Sequence, residues 1–121
     1  MTDLHTKQNQ KKQETPRWRK AKATAFNDPE TAPEDYPKGL FSAIVFGRER
    51  WALECLDAAG EVGCTPIDKP GPRWSAYVHD LRGMGFHIET INEKHDGPFA
   101  GSHARYLLKS KLVAIQDVEA K

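Results

Sequence analysis

The chain has 121 residues, of which 38% are hydrophobic and 29% are charged. This length suits one compact domain with an unstructured segment, and the low hydrophobic fraction indicates that part of the chain stays unfolded. No apolar run approaches the ~20 residues that a membrane span needs. The N-terminus is polar and lacks the apolar segment that a secretion signal contains. We therefore expect a cytoplasmic protein.

The formal net charge of +1 conceals an uneven distribution. Residues 1–22 contain seven basic and two acidic side chains, whereas residues 28–38 contain four acidic side chains and one basic. Such asymmetry between segments indicates binding to nucleic acid or to a partner protein. Residues 1–38 are also rich in Gln, Lys, Thr, Glu and Pro, which predicts a disordered arm that is first basic and then acidic.

Order is expected to begin near Gly39. The apolar run GLFSAIVF (39–46) fits either a strand or the first turns of the next helix. A helix is predicted from Gly47 or Arg48 up to Gly60, a residue type that often ends helices. Its apolar face contains Trp51, Leu53, Cys55, Leu56 and Ala59. Residues 58–72 then read as a connection, in which TPID (65–68) fits one helical turn with Thr65 as its N-cap.

From Pro72 the chain first follows a helical period and then a strand period. A helix is predicted over 72–84, because Trp74, Val78 and Leu81 recur at helical spacing before two glycines. Alternation predicts a strand over 86–91, followed by a turn-rich loop (92–104), a second strand (105–115) and a tail (116–121). We expect one core built from Trp51, Leu53, Leu56, Trp74, Val78, Leu81, Phe86, Ile88, Tyr106 and Leu108.

This order of elements resembles a winged helix-turn-helix, most closely the N-terminal DNA-binding module of the biotin-repressor family. There the recognition helix ends in a leucine, a basic residue and a glycine, before a strand, a hairpin wing and a strand that closes on Tyr-x-Leu. The matching residues here are Leu81-Arg82, Gly85, FHIET and Tyr106-Leu107-Leu108, within a similarity that covers about 48–110. The chain is also similar to small winged-helix proteins of bacterial prophages.

The resemblance implies an α+β winged helix-turn-helix domain over 39–115 that reads duplex DNA as a transcriptional regulator. In such proteins the recognition helix presents its outward face to base edges, which here are Arg73, Ser75, Ala76, His79 and Arg82. The wing contacts the DNA backbone, which implies roles for Lys94, His95, Ser102, His103 and Arg105. The basic arm adds a cluster that suits phosphates, consisting of Arg17, Arg19, Lys20 and Lys22.

A second function class stays open beside the DNA-binding regulator. The middle helix of the family has almost no room between Gly63 and Pro72, which favours a protein-interaction adaptor that reuses the winged-helix core. The basic arm and the outward position of Arg73 favour the regulator. Candidate partners are therefore double-stranded DNA, a second copy in a homodimer, and a protein bound through the arm.

Nothing in the sequence predicts an enzyme. It contains no nucleophile elbow and no glycine-rich phosphate loop. His79, His87, His95 and His103 are eight residues apart, whereas zinc ligands usually come in closer pairs. Cys55 and Cys64 have no CxxC spacing and are expected to stay reduced. We therefore predict no catalytic activity, no metal and no cofactor.

Overall fold

The computed structural model describes residues 19–70, 73–96 and 101–118. In chain order the elements are β1 (Ala21–Asn27), β2 (Gly39–Val45), α1 (Gly47–Ala59), a 3-10 turn (Gly60–Val62), α2 (Trp74–Gly83), β3 (Ile88–His95), β4 (Gly101–Leu108) and β5 (Lys111–Asp117). The predicted α+β class is confirmed. Neither described helix is long or apolar enough to cross a membrane.

A three-stranded antiparallel sheet has the order β2-β1-β5. Its central strand is AKATAFN, in which every second residue is small and fully buried, while Lys22 and Phe26 are exposed. The prediction of a disordered arm over 1–38 is therefore wrong for residues 21–27. The alternation is typical of a strand, but because its buried face consists of alanines the segment carries little of the hydrophobicity that usually reveals one. Residues 1–18 lie outside the described part of the chain.

A buried polar network attaches the end of β1 to the rest of the molecule. The Asn27 side-chain amide donates hydrogen bonds of 2.9 Å to the carbonyl oxygens of Pro37 and Gly85. The Ser110 hydroxyl donates to Asn27 Oδ1 and accepts a 2.8 Å hydrogen bond from the His87 amide. Since buried polar groups are costly unless they are paired, these bonds fix β1 against the end of α2 and the β4–β5 turn.

Of the two alternatives for residues 39–46, the strand is observed over Gly39–Val45. The helix that follows begins at Gly47, as predicted, and ends where Gly60 adopts a φ of +57°. Its buried residues Ala52, Leu53 and Leu56 face the core. Arg50 is also buried and pairs with two carboxylates. The face that the helical period predicts to be apolar therefore also contains a charged residue.

The connection between the helices contains one capped turn in place of a full middle helix. Thr65 Oγ1 accepts hydrogen bonds from the amides of Ile67 and Asp68, while the Asp68 carboxylate accepts one from the Thr65 amide. This reciprocal pattern confirms Thr65 as the N-cap. That amide hydrogen bond also lowers the pKa of the Asp68 carboxyl. Just before the turn, Cys64 pairs with Tyr106 of β4 through two backbone hydrogen bonds of 2.9 Å.

Helix α2 spans Trp74–Gly83, with Arg73 in the N-cap position. Residue 72, where the sequence predicts that this helix begins, lies outside the described residues. The Trp74 ring stacks on Tyr106 at 5.9 Å and lies 5.4 Å from the Trp51 ring, and its Nε1 donates to the Lys69 carbonyl at 2.7 Å. The predicted core is confirmed, with Trp51 and Leu108 at its half-buried rim.

The wing is a longer and more regular hairpin than the sequence indicates. Ile88 pairs with Leu108 and the register continues to His95 opposite Gly101. The predicted loop 92–104 is therefore wrong at both ends, because residues 92–95 and 101–104 belong to strands. The single strand predicted over 105–115 is broken at residues 109 and 110, whose amides both donate to the His87 carbonyl. Residues 116 and 117, predicted as tail, complete β5.

Candidate nucleic-acid interface

The outward face of α2 carries a small set of polar side chains. Arg73, Ser75 and His79 are exposed and Ala76 is half-buried, because Trp74, Tyr77, Val78 and Leu81 occupy the opposite side of the helix. The structure thus brings together four of the five side chains that the sequence assigns to this face. They lie along the first two turns, where the small residues 75 and 76 leave the helix surface open to close approach.

Arg82, the fifth assigned residue, is engaged within the molecule. Its Nε and Nη2 donate to the Ile88 carbonyl at 3.1 and 2.7 Å, and Nη2 also lies 2.7 Å from Thr90 Oγ1. The guanidinium therefore links the last turn of α2 to the first residues of β3. These contacts connect the wing to the helix.

One face of the wing adjoins α2. Side chains alternate along a strand, so Thr90, Asn92 and Lys94 share a face, and the register places Ser102 opposite Lys94. Thr90 contacts Arg82 of α2, which identifies this face as the side toward the helix. Lys94 and Ser102 are both exposed there. His95 belongs to β3, but its side chain is not among those described.

The opposite face of the wing holds an ion-pair network. Glu93 accepts a 2.6 Å hydrogen bond from Arg105 Nε and lies 3.1 Å from His103 Nε2. Arg105 Nη1 also donates to the Val62 carbonyl at 2.9 Å. The hydrogen bond from Arg105 lowers the pKa of the Glu93 carboxyl, and the same contact raises the pKa of Arg105. His103 and Arg105, assigned to DNA contact from the sequence, thus lie on the face away from Lys94 and engage an acidic neighbour.

The described part of the basic arm lies at the beginning of β1. Arg19, Lys20 and Lys22 are exposed, whereas Arg17 lies outside the described residues. The Arg19 carbonyl accepts a 3.2 Å hydrogen bond from Arg50, and the Lys20 carbonyl accepts one of 2.9 Å from the Val118 amide. These bonds fix the backbone of Arg19 and Lys20 just before β1, and Lys22 lies within the strand.

A shallow groove of about 400 Å³ lies between α1 and α2, beside His79. Its lining residues are Phe46, Glu49, His79, Asp80, Gly83 and Met84. A hydrogen bond with Asp80, assisted by partial burial, raises the pKa of the Glu49 carboxyl. Sequence reasoning missed this carboxylate pair because its members are far apart in the chain and neither stands in a motif.

The described residues contain no cluster of three His, Cys, Asp or Glu side chains that could hold a metal ion. The Cys64 thiol is buried and donates a 3.3 Å hydrogen bond to the Cys55 carbonyl. Burial raises its pKa to about 11. Because the thiolate is the reactive form of cysteine, Cys64 is suited to packing and poorly suited to nucleophilic chemistry.

The layout of a winged helix is formed by the two helices, the Cys64–Tyr106 bridge and the hairpin. A winged helix domain family matches residues 42–118. The chain belongs to this family. No curated protein and no solved structure matches it. The resemblance to a winged helix-turn-helix is thereby confirmed. Winged-helix domains are typically non-enzymatic modules with DNA-binding or regulatory roles. The matched range begins within β2, so the central strand β1 of this winged-helix protein precedes it.

Proposed function

We propose that this winged-helix protein binds double-stranded DNA and acts as a small transcriptional regulator of bacterial or prophage origin, without enzymatic activity. The observation that supports this most directly is the continuity of two exposed surfaces. Arg82 joins the end of α2 to Thr90, and the wing face that begins at Thr90 ends at Lys94 and Ser102. Helix and wing thus present their exposed polar groups on adjoining surfaces.

In this proposal α2 enters the major groove. Arg73 has the planar fork that pairs with a guanine edge, and it lies at the N-terminal end of α2, where helix-turn-helix proteins place base-reading side chains. Ser75 and Ala76 are small enough to let the helix backbone approach the bases. His79, one turn further along, contacts the next base pair or a phosphate.

The wing supplies contacts that carry no base information. Lys94 and Ser102 can reach phosphate oxygens when α2 lies in the groove. His103 and Arg105 lie on the other face of the wing and pair with Glu93, so we assign them to shaping the wing. Arg19, Lys20 and Lys22 extend the basic surface from β1 and add salt-sensitive attraction to any duplex.

Two alanine variants separate base reading from phosphate binding. Arg73→Ala is expected to lose about 1–3 kcal/mol on the preferred DNA sequence and much less on random duplex. Lys94→Ala is expected to weaken binding to both duplexes by similar amounts. Selection of the preferred sequence from a random pool precedes the measurement, and fluorescence anisotropy then gives all dissociation constants.

The matched control is Lys109→Ala, which removes an exposed lysine that lies 3.9 Å from Glu89 at the turn before β5. It should leave both affinities unchanged. Equal and small losses for Arg73→Ala on both duplexes would show that α2 does not read bases.

The protein-interaction adaptor remains the second candidate. It is favoured by the capped turn at 65–68, which stands where a DNA-binding winged helix usually has the helix that crosses the backbone. If no duplex binds at low salt while the protein is folded, the adaptor function replaces the regulator.

A further inference from the structure

The outer face of the β2-β1-β5 sheet is exposed and partly apolar. Leu40 is 67% exposed, Val113 57%, Ile44 48% and Phe26 39%, although β1 buries its other face completely. Four large apolar side chains on one side of a small sheet exceed the scattered exposure that is normal for a surface. We call this surface, formed by Phe26, Leu40, Ile44 and Val113 around Lys22 and Thr24, the outer sheet face.

The two ends of the outer sheet face carry opposite charge. Arg19, Lys20 and Lys22 stand at the beginning of β1, where two nearby acids, Asp117 and Glu54, are already paired with Arg50 at 2.8 and 3.1 Å. The loop at the other end contains four carboxylates against Lys38, with Lys111 close by on β5. These carboxylates are Asp28, Glu30, Glu34 and Asp35. The face is thus basic at one end, apolar in the middle and acidic at the other.

We propose that the outer sheet face binds the same face of a second copy of this chain. The two-fold axis lies in the interface, perpendicular to the strands and level with Thr24. It places the acidic loop of each copy over the basic end of the other. The same operation places Leu40 over Ile44 of the partner, and it lays the methylene stem of Lys22 against the Phe26 ring. A surface with complementary halves satisfies the requirement of an isologous dimer, in which each contact occurs twice.

The size of the face predicts a weak dimer. Three strands of seven residues cover roughly 300 Å², at about 3.3 Å per residue and 4.8 Å between strands. Stable complexes bury about 800 Å² per partner, so the charged loops must add to the contact. We therefore expect a dissociation constant in the micromolar range, which rises with ionic strength because the charged ends are screened.

Sedimentation equilibrium of the full chain from about 1 to about 200 µM tests the dimer. Leu40→Glu and Ile44→Glu should each raise the dissociation constant by about tenfold or more, since each places two carboxylates in the apolar centre. Val62→Glu is the matched control: Val62 is 69% exposed but lies in the 3-10 turn, outside the outer sheet face. It should leave self-association unchanged, and circular dichroism checks that each variant is folded.

A charge exchange tests the orientation. Lys20→Glu and Glu30→Lys should each weaken the dimer, and the double variant should recover most of the loss because the two ends meet across the interface. A chain that stays monomeric at every concentration overturns the proposal, as does a dimer that tolerates Leu40→Glu. If only a chain lacking residues 1–18 associates, the arm covers this face and the proposal is wrong. The DNA experiments with Arg73→Ala are independent of this result, because a monomer can be titrated with duplex directly. Since the dimer covers Arg19, Lys20 and Lys22, their contribution to DNA binding belongs to the monomer and is measured below the dissociation constant of the dimer.

Discussion

At the scale of single residues, Trp74 is the centre of an aromatic cluster. Its ring contacts Trp51, Tyr77 and Tyr106, and its Nε1 donates to the Lys69 carbonyl. Trp74→Ala should lower the free energy of unfolding by about 3–5 kcal/mol, as large aromatic truncations in packed cores do. Urea denaturation measures the change. Trp74→Phe, which keeps a ring and loses the hydrogen bond, should cost less, and an unchanged midpoint for the alanine variant would contradict this packing.

His87 predicts a pH dependence of stability. Burial, followed by the nearby Lys109 charge, lowers the pKa of the His87 imidazole below its ordinary 6.5. The folded protein therefore favours the neutral ring, and the stability that this contributes is complete above pH 6.5 and is lost as pH falls through the folded pKa. His87→Gln should remove this part of the pH dependence. The measurement is the difference between the two proteins in unfolding free energy from about pH 7.5 to about pH 5, a range that brackets the titration of histidine.

That difference isolates His87 from the carboxyl groups. The lowered pKa of Glu93 contributes stability above its unfolded pKa that is lost in acid, and the raised pKa of Glu49 contributes stability below its unfolded pKa that is lost as pH rises. Both groups are present in both proteins, so they cancel. Parallel curves for the two proteins over this range would exclude His87 as the titrating group.

The core residues were predictable one by one, whereas the polar contacts were not. Trp74, Val78 and Leu81 follow from helical spacing alone, because apolar side chains at i, i+4 and i+7 must share a face. The partners of Arg82 and Glu93 depend on which atoms lie within hydrogen-bond distance after folding. Sequence pattern therefore found the face of the helix and could not tell that Arg82 is engaged with β3.

At the scale of elements, the connection after α1 depends on Gly63. Its φ is +77°, and a Cβ at this position would lie 2.6 Å from the Tyr106 carbonyl oxygen. Gly63→Ala should therefore destabilise the protein by about 1–3 kcal/mol, through strain and through loss of the Cys64–Tyr106 pairing. Hydrogen exchange at the Tyr106 amide should accelerate at the same time.

Gly83 provides the matched control for that substitution. It ends α2 without a positive φ, and a methyl group added to its Cα would meet no neighbouring atom within 4 Å. Gly83→Ala should leave stability unchanged or raise it by up to about 1 kcal/mol, since alanine has the higher helix propensity. Equal effects at the two glycines would show that the close approach of residue 63 to β4 is unimportant.

Among the elements, β1 is the one that the sequence predicted to be disordered. Helix α1, the capped turn and α2 have local signals, namely period, caps and terminating glycines. AKATAFN has the correct period for a strand, but three alanines bury too little apolar surface to stabilise it locally. Its order comes from pairing with β2, the next element, and with β5, which is distant in sequence, and from the Asn27 network.

At the scale of the whole molecule, the basic residues before and within β1 should control the salt dependence of DNA binding. Each phosphate neutralised contributes about −0.9 to the slope of log affinity against log salt. Replacing Arg19, Lys20 and Lys22 with Gln should flatten the slope by up to about 3 and leave the sequence preference intact. Anisotropy titrations at several salt concentrations give the slope.

Deleting residues 1–18 is the companion experiment, because a longer deletion would enter β1. Any further flattening belongs to Lys7, Lys11, Lys12 and Arg17. A slope that neither change alters would show that this end of the protein does not contact DNA. A loss of preference for one sequence, with the slope unaltered, would assign base reading to the arm.

The pairing of β1 with β5 joins residue 20 to residue 118 through the hydrogen bond from the Val118 amide. During synthesis β1 leaves the ribosome before β2 and β5. Because β5 follows about 90 residues after β1, the pairing of these two strands is slow to form. Until then β1 presents an unpaired edge, which is the type of surface that aggregates or recruits chaperones. The nascent chain is therefore most vulnerable just before β5 appears. A circular permutant that joins these neighbouring residues and opens the chain elsewhere should fold with that vulnerability removed.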